Sequence, residues 1–322
     1  MPEKKGRAFE VVCLGEVVVD AFRVSERPLS FSFFPGGASV NVAVALARLG
    51  VRSAVLGKVG EDPFGKLLRD TLQAEGVKPS LRVSKGERTS LTFVFGEREP
   101  CYLRYASSDL SLSLQDVDWT LFKGARVVHL VSLDFVDAPI RGVSRAVLRL
   151  SQEQGIFVFL DCNHRPAFWK DPDQARKTIR EKLPEVDFLK LNFEEFLFLS
   201  GEKELERGAQ ALLAWGVGNL AVTLGEQGVF FANSSGQGRV PAFPVAVRDV
   251  VGCGDAFCAG VLARVLEEGI EKGFLLPLSL FREAVVFGSA CGALTAQKQG
   301  AYPAFPRLEE VQEFLRNRPL PF

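Results

Sequence analysis

Gly252-Cys253-Gly254-Asp255 has the composition of a phosphate-binding turn with a base beside it. Glycines bracketing one small residue let successive backbone N–H groups point at one spot, and a helix starting there adds the positive end of its dipole. Helical spacing does begin here, with Phe257, Val261 and Val265 at four-residue steps. A carboxylate repels phosphate, so Asp255 beside such a turn suits a general base that takes the proton from an attacking hydroxyl. A plain turn with a helix cap would satisfy the same residues, and this stretch alone does not decide.

Other polar residues stand where apolar ones are expected. The run Phe9 to Phe22 reads as a buried strand carrying Glu16 and Asp20 near its end, and Asp20 could accept hydrogen bonds from substrate hydroxyls. Gly36 and Gly37 would let backbone lie close to a ligand. Asn41 follows in the first turn of a small-residue helix that starts near Ser39 and closes at Gly50. Further on, Asp161, Asn163 and Arg165 follow one strand, and Asn192, Glu194 and Glu195 follow another. A third strand, Leu220 to Leu224, contains Thr223 and runs into Gly225 and Gly228, glycines that would admit a flat or phosphorylated ligand. Gly60 to Lys66 has Walker A spacing, but Leu67 stands where a magnesium-binding hydroxyl is needed and Pro63 removes an N–H, so it is not a P-loop.

These groups need a scaffold, and the pattern supplies one. Strand and helix alternate over Arg126–Leu133, Ala138–Gln154, Ile156–Leu160, Asp173–Leu183 and Phe188–Leu191, with a later helix at Phe281–Gln297 and coil from Gly300 to Pro306. That alternation predicts an α/β fold with a mostly parallel central sheet flanked by helices and ligands at the strands' carboxyl ends. The stretch Arg88 to Tyr105 reads instead as a hairpin around a Gly/Glu/Pro turn, a small β flap. At 322 residues, 47% hydrophobic and 24% charged, the chain is ordinary globular material, read as a single domain over 1–322. Basic and acidic residues both number 39, which argues against a nucleic-acid partner and makes any anion site local. Six cysteines without Cys-x-x-Cys pairs, and two histidines, fit reduced, mostly buried thiols rather than disulfides or zinc. The charged start, and an apolar run broken at Gly15 and Glu16, predict no secretory segment and no membrane span, hence a cytoplasmic protein.

Together these stretches resemble the PfkB (ribokinase-like) family of sugar and nucleoside kinases over nearly the whole chain. The signatures are Gly-Gly-x-x-x-Asn-x-Ala at Gly36 to Ala43 and Gly-x-Gly-Asp at Gly252 to Asp255, in the right order. The resemblance implies a ribokinase-like fold with a β-sheet lid over the sugar, from about 13–35 and 88–107, that commonly also forms a homodimer contact. It makes Asp255 the catalytic base and the N–H groups of Gly252, Cys253 and Gly254 the anion hole. Asp20, Gly36, Gly37, Asn41, Arg104 and Arg165 would line the sugar site, and Thr223, Gly225 and Gly228 the ATP site. Asn192 and Glu195 would organise Mg²⁺ largely through water, and Asp249 would belong to a loop that binds K⁺. The chain departs from the family at Val250, Cys253, Cys162, His164 and Phe287-Gly288-Ser289-Ala290, the last in a helix where fructokinases carry Phe-Ala-Asn-Ala. Arg104 to Asp109 and Trp169 are similar to fructokinases, which implies phosphorylation of fructose; 2-keto-3-deoxygluconate kinase is the next reading, and a non-catalytic binding protein of the same fold a third.

Overall fold

The computed structural model describes residues 9–95, 100–104, 107–136 and 139–318. The expected flap turn at 96–99, Tyr105, the expected helix start at Ala138 and the charged start of the chain lie outside them.

The run Phe9 to Phe22 is not one strand. It divides into β1 (Val11–Leu14) and β2 (Val18–Glu26), which join different sheets. Gly15 turns the chain at φ 82°, with the Asp134 carboxylate packed where a side chain would stand. Glu16 then accepts a hydrogen bond from the Ala38 N–H at the start of the next helix. The small sheet therefore begins at Val18 rather than near Cys13, which belongs to β1 of the large sheet.

In chain order there follow β3 (Leu29–Gly36), α1 (Ala38–Arg48), β4 (Ser53–Gly60), α2 (Pro63–Ala74), β5 (Lys78–Ser84), β6 (Ser90–Val94) and β7 (Cys101–Leu103). At the start of α2, Asp62 accepts from the N–H groups of Gly65 and Thr89, so the Walker-like stretch is a capped helix start. The alternating region comprises β8 (Val127–Val131), α3 (Ile140–Gln154), β9 (Phe157–Asp161), α4 (Pro172–Arg180), β10 (Phe188–Asn192), α5 (Phe193–Ser200), α6 (Leu205–Ala214) and β11 (Asn219–Thr223). The chain closes with β12 (Val229–Asn233), β13 (Gly236–Val240), α7 (Cys253–Val265), α8 (Leu278–Ala296) and α9 (Leu308–Asn317). The coil expected after Gly300 contains one 3₁₀ turn, Tyr302–Ala304.

Nine strands form the large sheet in the order β13-β12-β11-β10-β9-β8-β1-β4-β5, all running the same way except β12, which is antiparallel to both its neighbours. Its central strands β1, β8 and β9 read as nearly continuous apolar runs because both faces are covered. Val11, Cys13, Phe157 and Phe159 face the core under α1, α7 and α8, while Val12, Leu14, Val158 and Leu160 face the core under α3, α5 and α6. Phe159, Phe188 and Phe281 stack through the first core at 4.6 and 5.4 Å between ring centres, worth about 0.5–1.5 kcal/mol per pair beyond their burial. Helix α8 is long and apolar enough to cross a membrane on composition alone, but it buries Phe281, Ala284 and Val285 in that core.

The sheet expected as a lid is the second one, ordered β3-β2-β6-β7, with Asp20 opposite both Phe34 and Thr92. The flap expected from Arg88 onward is the antiparallel β6–β7 pair, placing Thr92 opposite Tyr102. The open end of the sheet, under this lid, receives the polar residues that follow β9, β10 and β11.

Candidate active site

Helix α7 starts at the glycine turn. Gly252 is its N-cap at φ 82°, a conformation that suits glycine, and a Cβ there would meet Ala301 at 2.7 Å. Of the three N–H groups expected to form the anion hole, that of Cys253 donates to the Val250 carbonyl at 3.2 Å, a long bond at the edge of the usual range. Asp255 stands in the helix's first turn, and its Oδ2 accepts from Asn41 Nδ2 at 2.8 Å. One hydrogen bond thus joins the two glycine-containing signatures across 214 residues. Asn41 is not the cap of α1, which is Gly37; its side chain crosses to Asp255, and its Oδ1 is buried with no partner among the described residues. Burial and the nearby Asp161 anion push the Asp255 carboxyl up to about 7, against the pull of Asn41, Lys190 and Arg165.

Asp20 comes down from the lid onto the same region. Burial, then repulsion from Glu16, raises its carboxyl to about 7, opposed by Arg104, Arg165 and a hydrogen bond from Thr92. Gly36 and Gly37 provide close approach within the protein itself. A Cβ on Gly36 would fall 2.1 Å from an Asp20 oxygen, and one on Gly37 would fall 2.0 Å from the Glu16 carbonyl. Arg104 is buried between two carboxylates, 2.7 Å from Asp109 and 3.3 Å from Glu16, with its guanidinium 4.8 Å from the Phe168 ring centre. Arg165 is exposed in the cleft. Asn163 holds φ at 38°, the one positive-φ residue other than glycine among those described, so the turn after β9 is strained where it meets the site.

Asn192 and Glu195 form a reciprocal cap on α5. Asn192 Oδ1 accepts the Glu195 N–H, Glu195 Oε2 accepts the Asn192 N–H and Oε1 accepts that of His164, each at 2.8 Å. Glu195 is buried, whereas Glu194 is exposed. Asp249 is engaged similarly, taking the N–H groups of Val251 at 3.0 Å and Gly300 at 2.8 Å, which ties the loop before α7 to the segment after α8. A carboxylate oxygen that accepts one N–H retains a lone pair, so both acids can still face a cation or its waters.

Thr223, Gly225 and Gly228 line one cavity of about 600 Å³ together with Cys253 and Gly254. Phe243, Val245, Ala293 and Ala296 add apolar lining. A cavity lined by apolar side chains and by a helix start has the chemistry to take an apolar ring and an anion together.

The model described as pfkB family carbohydrate kinase matches residues 8–308. The chain belongs to this family. It is 36% identical over 318 residues to probable fructokinase-6, chloroplastic, of Arabidopsis thaliana, covering 95% of this chain and 82% of that relative. It superposes with a TM-score of 0.86 on the fructokinase of Xylella fastidiosa with bound ATP, at 29% identity over 95% of this chain and 98% of that one. A double-mutant fructokinase from Vibrio cholerae O395, with fructose, ADP and potassium ion bound, also gives 0.86, at 31% identity over 97% and 100%. The fold is ribokinase-like, as expected, and the chain is an ATP-dependent sugar kinase.

Three residues of this kinase's site are not singled out by sequence reasoning. Glu16 stands out in sequence only as a polar residue in an apolar run, yet it anchors Arg104 and the α1 start. Lys190 interrupts the apolar β10, and its Nζ is buried 3.0 Å from Asp161. Ser289 lines the same cavity as Thr223 and Gly228, with its hydroxyl buried and unpartnered among the described residues; its signal is the Gly288-Ser289 departure.

Proposed function

We propose that this kinase transfers the ATP γ-phosphoryl to the primary hydroxyl of fructose, giving fructose 6-phosphate. The observation that supports the proposal is the Asn41–Asp255 hydrogen bond, which joins a carboxylate titrating near neutrality in the first turn after the glycine turn to the helix that follows β3. Asp255 takes the hydroxyl proton as attack begins. Asp20 and the unpartnered Asn41 Oδ1 accept hydrogen bonds from sugar hydroxyls, and the turn's N–H groups meet the charge gathering on the transferring group. The lid closes over the sugar and keeps water, a competing acceptor, away from the phosphoryl. Magnesium, when bound, neutralises the phosphate oxygens; Asn192 and Glu195 would hold it, a donor set that fits a metal relying on one or two carboxylates, water and phosphates. A potassium ion belongs to the same proposal, at the Asp249 loop. The six cysteines are all free, which suits a reducing cytosol.

Charge separates fructose from a sugar acid. A 2-keto-3-deoxy acid needs a dedicated cation for its carboxylate, but Arg104 is already paired with both Glu16 and Asp109, and Asp20 would repel a further anion. We therefore expect fructose to give a higher kcat/KM than 2-keto-3-deoxygluconate, ribose or nucleosides in a panel of ATP-consumption assays. A sugar acid preferred tenfold or more, with Arg165→Ala erasing the preference, would move the assignment to the sugar-acid kinase. In the same assay excess chelator should abolish transfer, and potassium should support more activity than sodium at equal ionic strength.

The lid's outer residues support a homodimer. Val24, Leu29 and Leu103 are more than half exposed, and Phe33 is 41% exposed on the same small sheet. Sedimentation is expected to give a dimer that Leu103→Glu converts to monomer, and a wild-type monomer at micromolar concentration would contradict it.

A further inference from the structure

Beneath the glycine turn lies a pair of buried charges that the transfer step as described does not use. Lys190 and Asp161 are register partners in β10 and β9, with side chains 8% and 2% exposed and Nζ 3.0 and 3.3 Å from the two carboxylate oxygens. On its other side Lys190 pairs with Ala221 in β11, so the sheet itself does not demand a charge at this level. Burying an ion pair is costly, and replacing one by neutral residues of similar volume is often neutral or stabilising. A reason for this pair must then be sought in what it faces.

It faces the start of α7. A Cβ placed on Gly254 would lie 3.1 Å from Lys190 Nζ, so the ammonium packs directly against the turn residue that also lines the nucleotide cavity. The Asp161 end of the pair is held from the next turn of the helix, where Cys258 Sγ donates to Oδ2 at 3.4 Å. The positive member thus sits against the turn, fixed by its partner.

We propose that Lys190, clamped by Asp161, is a positioning residue for phosphoryl transfer: its fixed ammonium backs the Gly254 turn and strengthens the turn's attraction for the transferring phosphoryl. This rests on the kinase reading above. The ion pair at 3.0 Å fixes the ammonium where it lies against the turn. The ammonium adds to the dipole end and backbone donors already aimed at the anion, and being held in place it needs no reorganisation as negative charge builds. A side chain at 254 would press on the ammonium and shift it by a few tenths of an ångström.

The test uses the full chain and a neutral pair, Asp161→Asn with Lys190→Met, which removes both charges and keeps the volume. We expect a folded protein that melts no lower than wild type, with kcat reduced about tenfold or more and KM for sugar and ATP within about threefold. Binding separates the effect from any change in Asp255. Wild type, with sugar and magnesium, should gain affinity for ADP when fluoroaluminate, a planar phosphoryl mimic, is added; the neutral pair should lose most of that gain while binding ADP alone as before. Retention of the gain, or of at least half the wild-type kcat, overturns the proposal. A neutral pair that does not fold overturns it too, because the charges would then serve the fold. Wild type that transfers phosphoryl to no sugar would instead defeat the kinase reading.

Discussion

Asp255→Asn is expected to lower kcat by about 10²–10⁴ while leaving KM for sugar and ATP within a few-fold. The substitution keeps the shape and an oxygen for the Asn41 Nδ2 donor, so what it removes is the capacity to take a proton. The pH dependence identifies the same group. Burial and the Asp161 anion bring the carboxyl to about 7, so the base is charged above that pH and protonated below it. Wild-type kcat should therefore fall about tenfold for each pH unit below neutrality, and the Asn variant should lack this limb. A variant keeping half the wild-type turnover, or showing the same acid limb, would remove Asp255 from the role of base.

Asp20→Ala should reduce kcat/KM for fructose by about 10²–10⁴, from the loss of two hydrogen bonds to a charged group at about 1.5–3 kcal/mol each. The lid should survive the change. Its connection to the body runs through Arg104, Glu16 and Asp109; among Asp20's neighbours Gly36 gains space and Thr92 loses one hydrogen-bond acceptor. The KM for ATP should hardly move, since Thr223, Gly225 and Gly228 line a cavity that does not include Asp20. A loss below about tenfold, or an equal loss in ATP affinity, would show that Asp20 serves the fold of the lid rather than the sugar. Its carboxyl titrates near 7, so the fructose advantage should also weaken as pH falls through that value and Asp20 becomes neutral.

Features that depend on neighbours a few residues away are legible in the sequence. The turn at Gly252 and the helix after it follow from glycine's freedom at positive φ and from four-residue apolar spacing. Asn192 and Glu195 bond across three residues, within reach of local reading, although only the family likeness gives that pair a role. The alternation that predicts a doubly covered parallel sheet is likewise a local periodicity, and the rejected Walker stretch fails on its own Pro63 and Leu67.

Pairing between distant segments is decided only in three dimensions. Phe9 to Phe22 has a strand's composition throughout, and nothing local says that its halves join different sheets; the break depends on Asp134 and Ala38 meeting Gly15 and Glu16. Arg104 reads as a cation free to clamp a substrate until Glu16 and Asp109 are found beside it. Lys190 reads as a stray charge in an apolar strand until Asp161 and Gly254 close around it. Sequence by itself determined the α/β class, the glycine turn with its acid and the residues available for chemistry, because backbone freedom and side-chain period act over a few residues. Tertiary structure alone decided that Asn41 holds Asp255 and which charges are spent on one another, because a charge's availability depends on what lies within a few ångströms, whatever its distance along the chain.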